Sequence, residues 1–148
     1  MCYSVYLSTD TERDLALHNT PLIRFTKDLA PEEEDIPGLM RNPHTWYVGS
    51  KSGCSCSFRH LHSIELGFGV PEDWYPEDPD ELEATKLFYD IVSAMIIEGI
   101  HVDCISLWTG TTKDGVQSLE VDLSSIKREA FRFFENHHFE FVYSGSPF

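Results

Sequence analysis

The sequence predicts an α+β fold. It reads as a single domain over residues 1–148, with a mostly antiparallel sheet of about five to seven strands covered by one long and one or two shorter helices. Three observations carry that prediction. Short runs rich in β-branched and aromatic residues recur between turn signals. Only one stretch, Asp78 to Gly99, combines a helical start, period and stop. A hydrophobic content of 41% with 13% aromatics, in 148 residues, supplies a core for one domain of ordinary size.

Cys2 to Leu7 is a first strand, with Tyr3, Val5 and Leu7 on one face and Tyr6 on the other. Asp10 then caps a short helix through Leu17, with Glu12 near its positive end. Leu22 to Phe25 is a second strand. Pro31, Pro37, Gly38 and Pro43 make residues 28–44 a loop. Thr45 to Val48 is a strand ending at Gly49, and Ser50 to Gly53 turns the chain back into Cys54 as a hairpin. Ser57 to Phe68 stays extended, too long for one strand, so a bulge or break is expected inside it.

After an acidic loop carrying Trp74 and Tyr75 comes the main helix. Asp78 caps it, Pro79 opens it and Glu81 follows three residues after the cap. Leu82, Leu87, Phe88, Ile91, Val92, Met95 and Ile96 repeat at the helical period, and Gly99 stops it. Val102 to Trp108, apolar on both faces, is a central strand. Ser118 to Leu123 is a strand expected to pair back on it as a hairpin. Ser124 or Ser125 caps a second helix through Glu135, and Phe139 to Tyr143 alternates and closes the sheet.

Charge narrows the function. There are 25 acids against 11 bases, for a net −14. Such a field repels phosphate backbones and anionic lipid, so neither nucleic acid nor a membrane is an expected partner, whereas a basic protein is. No apolar run approaches the roughly 18 residues that cross a bilayer. Met1 to Tyr6 lacks the pattern of a secretion signal, so a cytoplasmic location is expected. In that setting the four cysteines read as thiols, metal ligands or core residues, not as a disulfide framework. Cys2 and Cys104 sit in apolar runs and read as core.

Residues 53–62, Gly-Cys-Ser-Cys-Ser-Phe-Arg-His-Leu-His, are the exception. They lie within an acid-free window from Ile36 to Ile64 that also holds Arg41, Lys51 and His44. The window reads either as buried strand, where acids are rare, or as a local positive island that favours thiolates and anions. In a strand, Cys54, Cys56, His60 and His62 share one face, with same-face neighbours roughly 6.6 Å apart. Zn–S and Zn–N bonds are each about 2 Å, so adjacent pairs reach one ion. Soft and borderline ligands of this kind suit zinc or copper(I). A straight strand from Cys54 to His62 runs roughly 26 Å, which no single ion spans. A shared site therefore requires a fold-back between Cys56 and His60, or a ligand such as His44 from the neighbouring strand.

Two thiol chemistries compete with metal binding. A Cys-x-Cys disulfide needs a tight turn, because extended geometry sets the Cα atoms near the upper limit of about 6.8 Å. A cysteine nucleophile with a histidine base lacks any assignable orienting group. Other motifs fail on spacing: Gly53 to Ser57 is no nucleophile elbow, Gly67-Phe68-Gly69 no dinucleotide loop, and residues 72–83 no calcium loop. In the pair His137-His138 one ring is expected to be exposed, since adjacent residues face opposite ways. The expectation is thus a zinc-like or thiol site on Cys54, Cys56, His60, His62 and His44. The alternative is an acidic, non-catalytic inhibitor or immunity-type protein that uses Trp74 against a basic partner.

Overall fold

The computed structural model describes residues 2–27, 35–61, 67–74, 76–108 and 115–145. Six strands form the main sheet: β1 (Tyr3–Thr9), β2 (Ile23–Thr26), β3 (His44–Ser50), β5 (Val102–Trp108), β6 (Gln117–Asp122) and β8 (His137–Val142). Their order is β2-β3-β1-β5-β8-β6, antiparallel throughout except for the parallel pair β6·β8. Two short strands, β4 (His60–Leu61) and β7 (Phe133–Phe134), pair in parallel beside it. One α-helix, α1 (Pro79–Ile97), covers one face. The α+β class is the one expected.

Registers explain which residues meet. Trp46, Leu7, Cys104 and Phe139 line up across β3, β1, β5 and β8, all facing α1. With Phe88, Val92 and Met95 of the helix they belong to one buried cluster. The next row, Tyr47, Tyr6, Ile105 and His138, faces the other way and starts a second, smaller cluster with Ile36. The helix begins and ends as its caps dictate. The Asp78 carboxylate accepts from the Asp80 amide at 2.7 Å. Gly99 takes φ +92°, which turns its N–H onto Ile96 O and that of Ile100 onto Met95 O, each at 3.0 Å.

The structure departs from the local expectations at several points. The first short helix is a 3₁₀ turn, Leu15–His18, capped by Asp14; Asp10 instead follows β1, its N–H donating to His101 O at 3.3 Å and its carboxylate accepting from His101 N–H at 3.0 Å. The turn after β3 leads into another 3₁₀ turn, Ser55–Ser57, not into a returning hairpin strand. From Ser57 to Phe68 only His60–Leu61 is strand among the described residues, and residues 62–66 lie outside them.

The second expected helix does not form. Residues 123–130 make two 3₁₀ turns and the chain then runs extended into β7. Phe131 and Phe133 are both fully buried. Extended chain points two residues of this spacing to one side, whereas a helix would send them to opposite sides. β6 also does not fold back on β5, because β8 lies between them.

Candidate metal centre

The cysteine turn is built by two glycines and three serines. Gly49 has no room for a side chain, since a Cβ there would come 2.9 Å from the Gly53 carbonyl oxygen. Gly53 takes φ +89°, the left-handed conformation glycine adopts freely. Ser50 N–H donates to Cys54 O at 2.8 Å and its hydroxyl donates to the same oxygen at 2.6 Å. The fully buried Ser55 hydroxyl bridges two strands, accepting from Val5 N–H at 2.8 Å and donating to Val48 O at 2.5 Å.

That bridge ties the turn to the start of β1. Antiparallel pairing of β1 with β3 sets Val5 opposite Val48, so residues before Tyr3 lie beside the chain that leaves β3. Cys2 is delivered there. The Sγ atoms of Cys2, Cys54 and Cys56 lie within 4.8 Å of one another, and all three residues are half-buried. None is in a disulfide. No protein family, curated protein or solved structure matches this chain. Its chemistry therefore has to be read from these atoms.

Three sulfurs around a tetrahedral ion with Zn–S bonds of about 2.3 Å stand about 3.8 Å apart. The observed spacing needs only small side-chain rotations to reach that. Tyr3 N–H donates to Cys56 Sγ at 3.2 Å, and the Ser52 hydroxyl lies 3.4 Å from Cys54 Sγ. Burial pushes the Cys54 thiol up, but hydrogen bonds from Ser52, from the Cys56 backbone and from the Cys56 and Cys2 thiols outweigh it and bring it down to about 7. Burial, reinforced by the hydrogen bond to Cys54, pushes Cys56 up to about 12. The hydrogen bonds thus favour the thiolate at Cys54 over that at Cys56.

The expected histidines are placed elsewhere. The chain does bend between Cys56 and His60, but the His60 Nε2 is 2.6 Å from the Ser55 carbonyl oxygen. Its ring stacks on Tyr3 with centroids 3.8 Å apart. His44 pairs with Thr9 at the far end of β3, six residues from Ser50 and so roughly 20 Å away along the strand. His62 lies outside the described residues. Cys2, read from sequence as core, takes the third position. Its signal was in the strand pattern: if the first strand pairs antiparallel with the one ending at Ser50, its first residue falls on the cysteine turn.

Two bases of the acid-free window, Arg59 and Lys51, pair with acids in space. Arg59, 3% exposed, forms a two-pronged pair with Glu77 at 2.8 and 2.9 Å and donates to the carbonyls of Glu129, Phe131 and Gly69. Lys51 pairs with Asp80 at 3.1 Å and Asp78 at 3.6 Å. Acids distant in sequence thus offset these two charges, and hydrogen bonds, not a cation, lower the Cys54 thiol. Beside the site, Arg59, His60, Phe68, Trp74 and Arg132 help line a cleft of 650 Å³. Among the described residues no helix is long and apolar enough to cross a membrane.

Proposed function

We propose that this protein binds one soft or borderline transition-metal ion, zinc first among them, through Cys2, Cys54 and Cys56. The mutual approach of the three sulfurs is the observation that carries the reading. Thiolates select zinc and copper(I) over hard cations, and three protein ligands leave a fourth position on a zinc ion for water or an exogenous group. Tyr3 N–H and the Ser52 hydroxyl hold two of the sulfurs in place. Of the residues expected from sequence, Cys54 and Cys56 stay in the proposed ligand set and Cys2 joins them.

Elemental analysis of the reduced, tag-free protein tests this. About one zinc per chain is expected after zinc addition and washing, and Cys2→Ser should lower it as much as Cys54→Ser does. Cobalt loading should give intense sulfur-to-metal charge-transfer bands. Less than about a tenth of an ion per chain, with no such bands, overturns the proposal.

A second reading rests on Trp74, 79% exposed on the rim of the cleft beside Glu72 and Glu77. Exposed aromatics amid acids suit a basic protein partner. A complex captured at low salt, dissolved by high salt and lost in Trp74→Ala supports it; none at low salt counts against it.

A further inference from the structure

The pair His137-His138 leads to a second site, on the sheet face turned away from α1. His138 is only 3% exposed, and its Nε2 lies 2.6 Å from Asp103 Oδ2. Asp103 is fully buried and accepts from three further donors. The Ser8 hydroxyl and Asn42 Nδ2 (3.0 Å) bind Oδ1, and Arg41 N–H (2.9 Å) binds Oδ2. Ser8 is itself held by Asn42 N–H at 3.1 Å. Burial pushes the Asp103 carboxyl up, but the bonds from His138, Ser8, Arg41 and Asn42 outweigh it and keep it below its ordinary value.

A carboxylate surrounded by donors fixes the tautomer of the imidazole. The ring proton belongs on Nε2, facing Asp103, so Nδ1 carries the lone pair. That lone pair is 3.3 Å from the hydroxyl of Ser118, an exposed residue directly opposite His138 in the β6·β8 ladder. Carboxylate, imidazole and hydroxyl are thus in sequence from buried to open, the order in which an activated serine is built. Free-enzyme spacings of this kind are commonly looser than those in the reacting complex.

β6 stands last in the sheet order. Gln117 N–H turns inward onto Asn136 O at 3.2 Å. Backbone groups alternate along a strand, so the next N–H, that of Ser118, faces the edge of the sheet that no described strand covers. This leaves a backbone donor on the same residue as the hydroxyl, free to serve a substrate oxygen.

We infer that Ser118 is a nucleophile for acyl transfer from small esters, with His138 as its base and Asp103 positioning the imidazole. Ser118 Oγ bonds to the ester carbonyl carbon as its proton passes to His138 Nδ1. The tetrahedral adduct collapses, the carbon–oxygen bond to the alcohol breaks, and the alcohol leaves with that proton. Water then attacks the acyl serine by the same route, releasing the acid and restoring the hydroxyl.

A fluorophosphonate tests the assignment on the full-length protein. Ser118 Oγ forms a bond to phosphorus, the P–F bond breaks, and HF is lost. General-base assistance should make this on the order of a hundredfold faster at Ser118 than at the exposed hydroxyl of Ser125 in the same sample. His138→Gln should remove that advantage and Ser118→Ala should abolish labelling at this peptide. Nitrogen-15 spectra of wild type should place the ring proton of His138 on Nε2. Equal labelling of Ser118 and Ser125, a proton on Nδ1, or a folded His138→Gln that labels at the wild-type rate overturns the inference. The first two readouts need no variant.

Discussion

Stability should fall on mild acidification because of His60. The Ser55 carbonyl only accepts, so the ring proton sits on Nε2, 2.6 Å away. The other nitrogen, Nδ1, is buried without a hydrogen-bond partner. A second proton would therefore create a charged, partnerless N–H between the rings of Tyr3 and Phe133. Burial lowers the imidazole from 6.5 to about 4, with the Ser55 bond pulling the other way. The folded value is the depressed one, so the full stability is present above 6.5, where neither state binds the proton. Between 6.5 and 4 the unfolded chain takes it up and the folded protein does not, so stability drops as pH falls. With the folded imidazole at about 4 instead of 6.5, about 3 kcal/mol is lost by pH 4. Urea unfolding of wild type and His60→Phe at pH 7, 5.5 and 4 measures it. Phenylalanine keeps the ring stack and cannot titrate, and carboxylate effects cancel in the difference. A wild-type minus variant difference that stays constant within about 0.5 kcal/mol over this range would refute the reasoning.

Three further outcomes are expected. Ser55→Ala strands the Val5 N–H and the Val48 carbonyl in the interior, costing about 2–4 kcal/mol by denaturant unfolding; a loss under about 0.5 kcal/mol contradicts the bridge. Gly49→Ala forces a methyl against the Gly53 carbonyl and should lower stability by about 1–3 kcal/mol, together with cobalt uptake at the turn. Iodoacetamide should modify Cys54 well before Cys56, with a rate rising through pH 7, and zinc should protect both; mass spectrometry of the two sites resolves the order.

What was legible in the sequence follows the range of the interactions. The long helix was readable because its signals are local: Asp78 and Pro79 at one end, Gly99 at the other, and a period between. β1, β3 and β5 were readable from composition, and the Cys54–Cys56 turn from its glycine and serines. Cys2 was not, because its approach to Cys54 depends on β1 pairing with β3 across some forty residues. The stretch from Ser124 to Glu135 carries helix-forming residues, yet burying Phe131 and Phe133 together overrides that preference. The pairing of two bases of the acid-free window has the same origin, since Glu77 and Asp80 reach Arg59 and Lys51 only in space. The role of His138 depends on Asp103, which lies on a different strand.

The position of β8 sets the order of assembly. It follows β6 in the chain but inserts between β5 and β6, so among the described residues β6 has no strand partner until β8 has docked. Before that moment β5 is an unsatisfied edge carrying Val102, Cys104 and Ile105, an open template for another chain. Until β8 emerges, a nascent chain presents that edge. Ribosome-bound chains stalled before residue 137 should therefore remain sensitive to protease through β5 and β6, and recruit chaperones, until His137–Val142 has emerged. The strand that brings His138 to Ser118 is also the one that completes the fold.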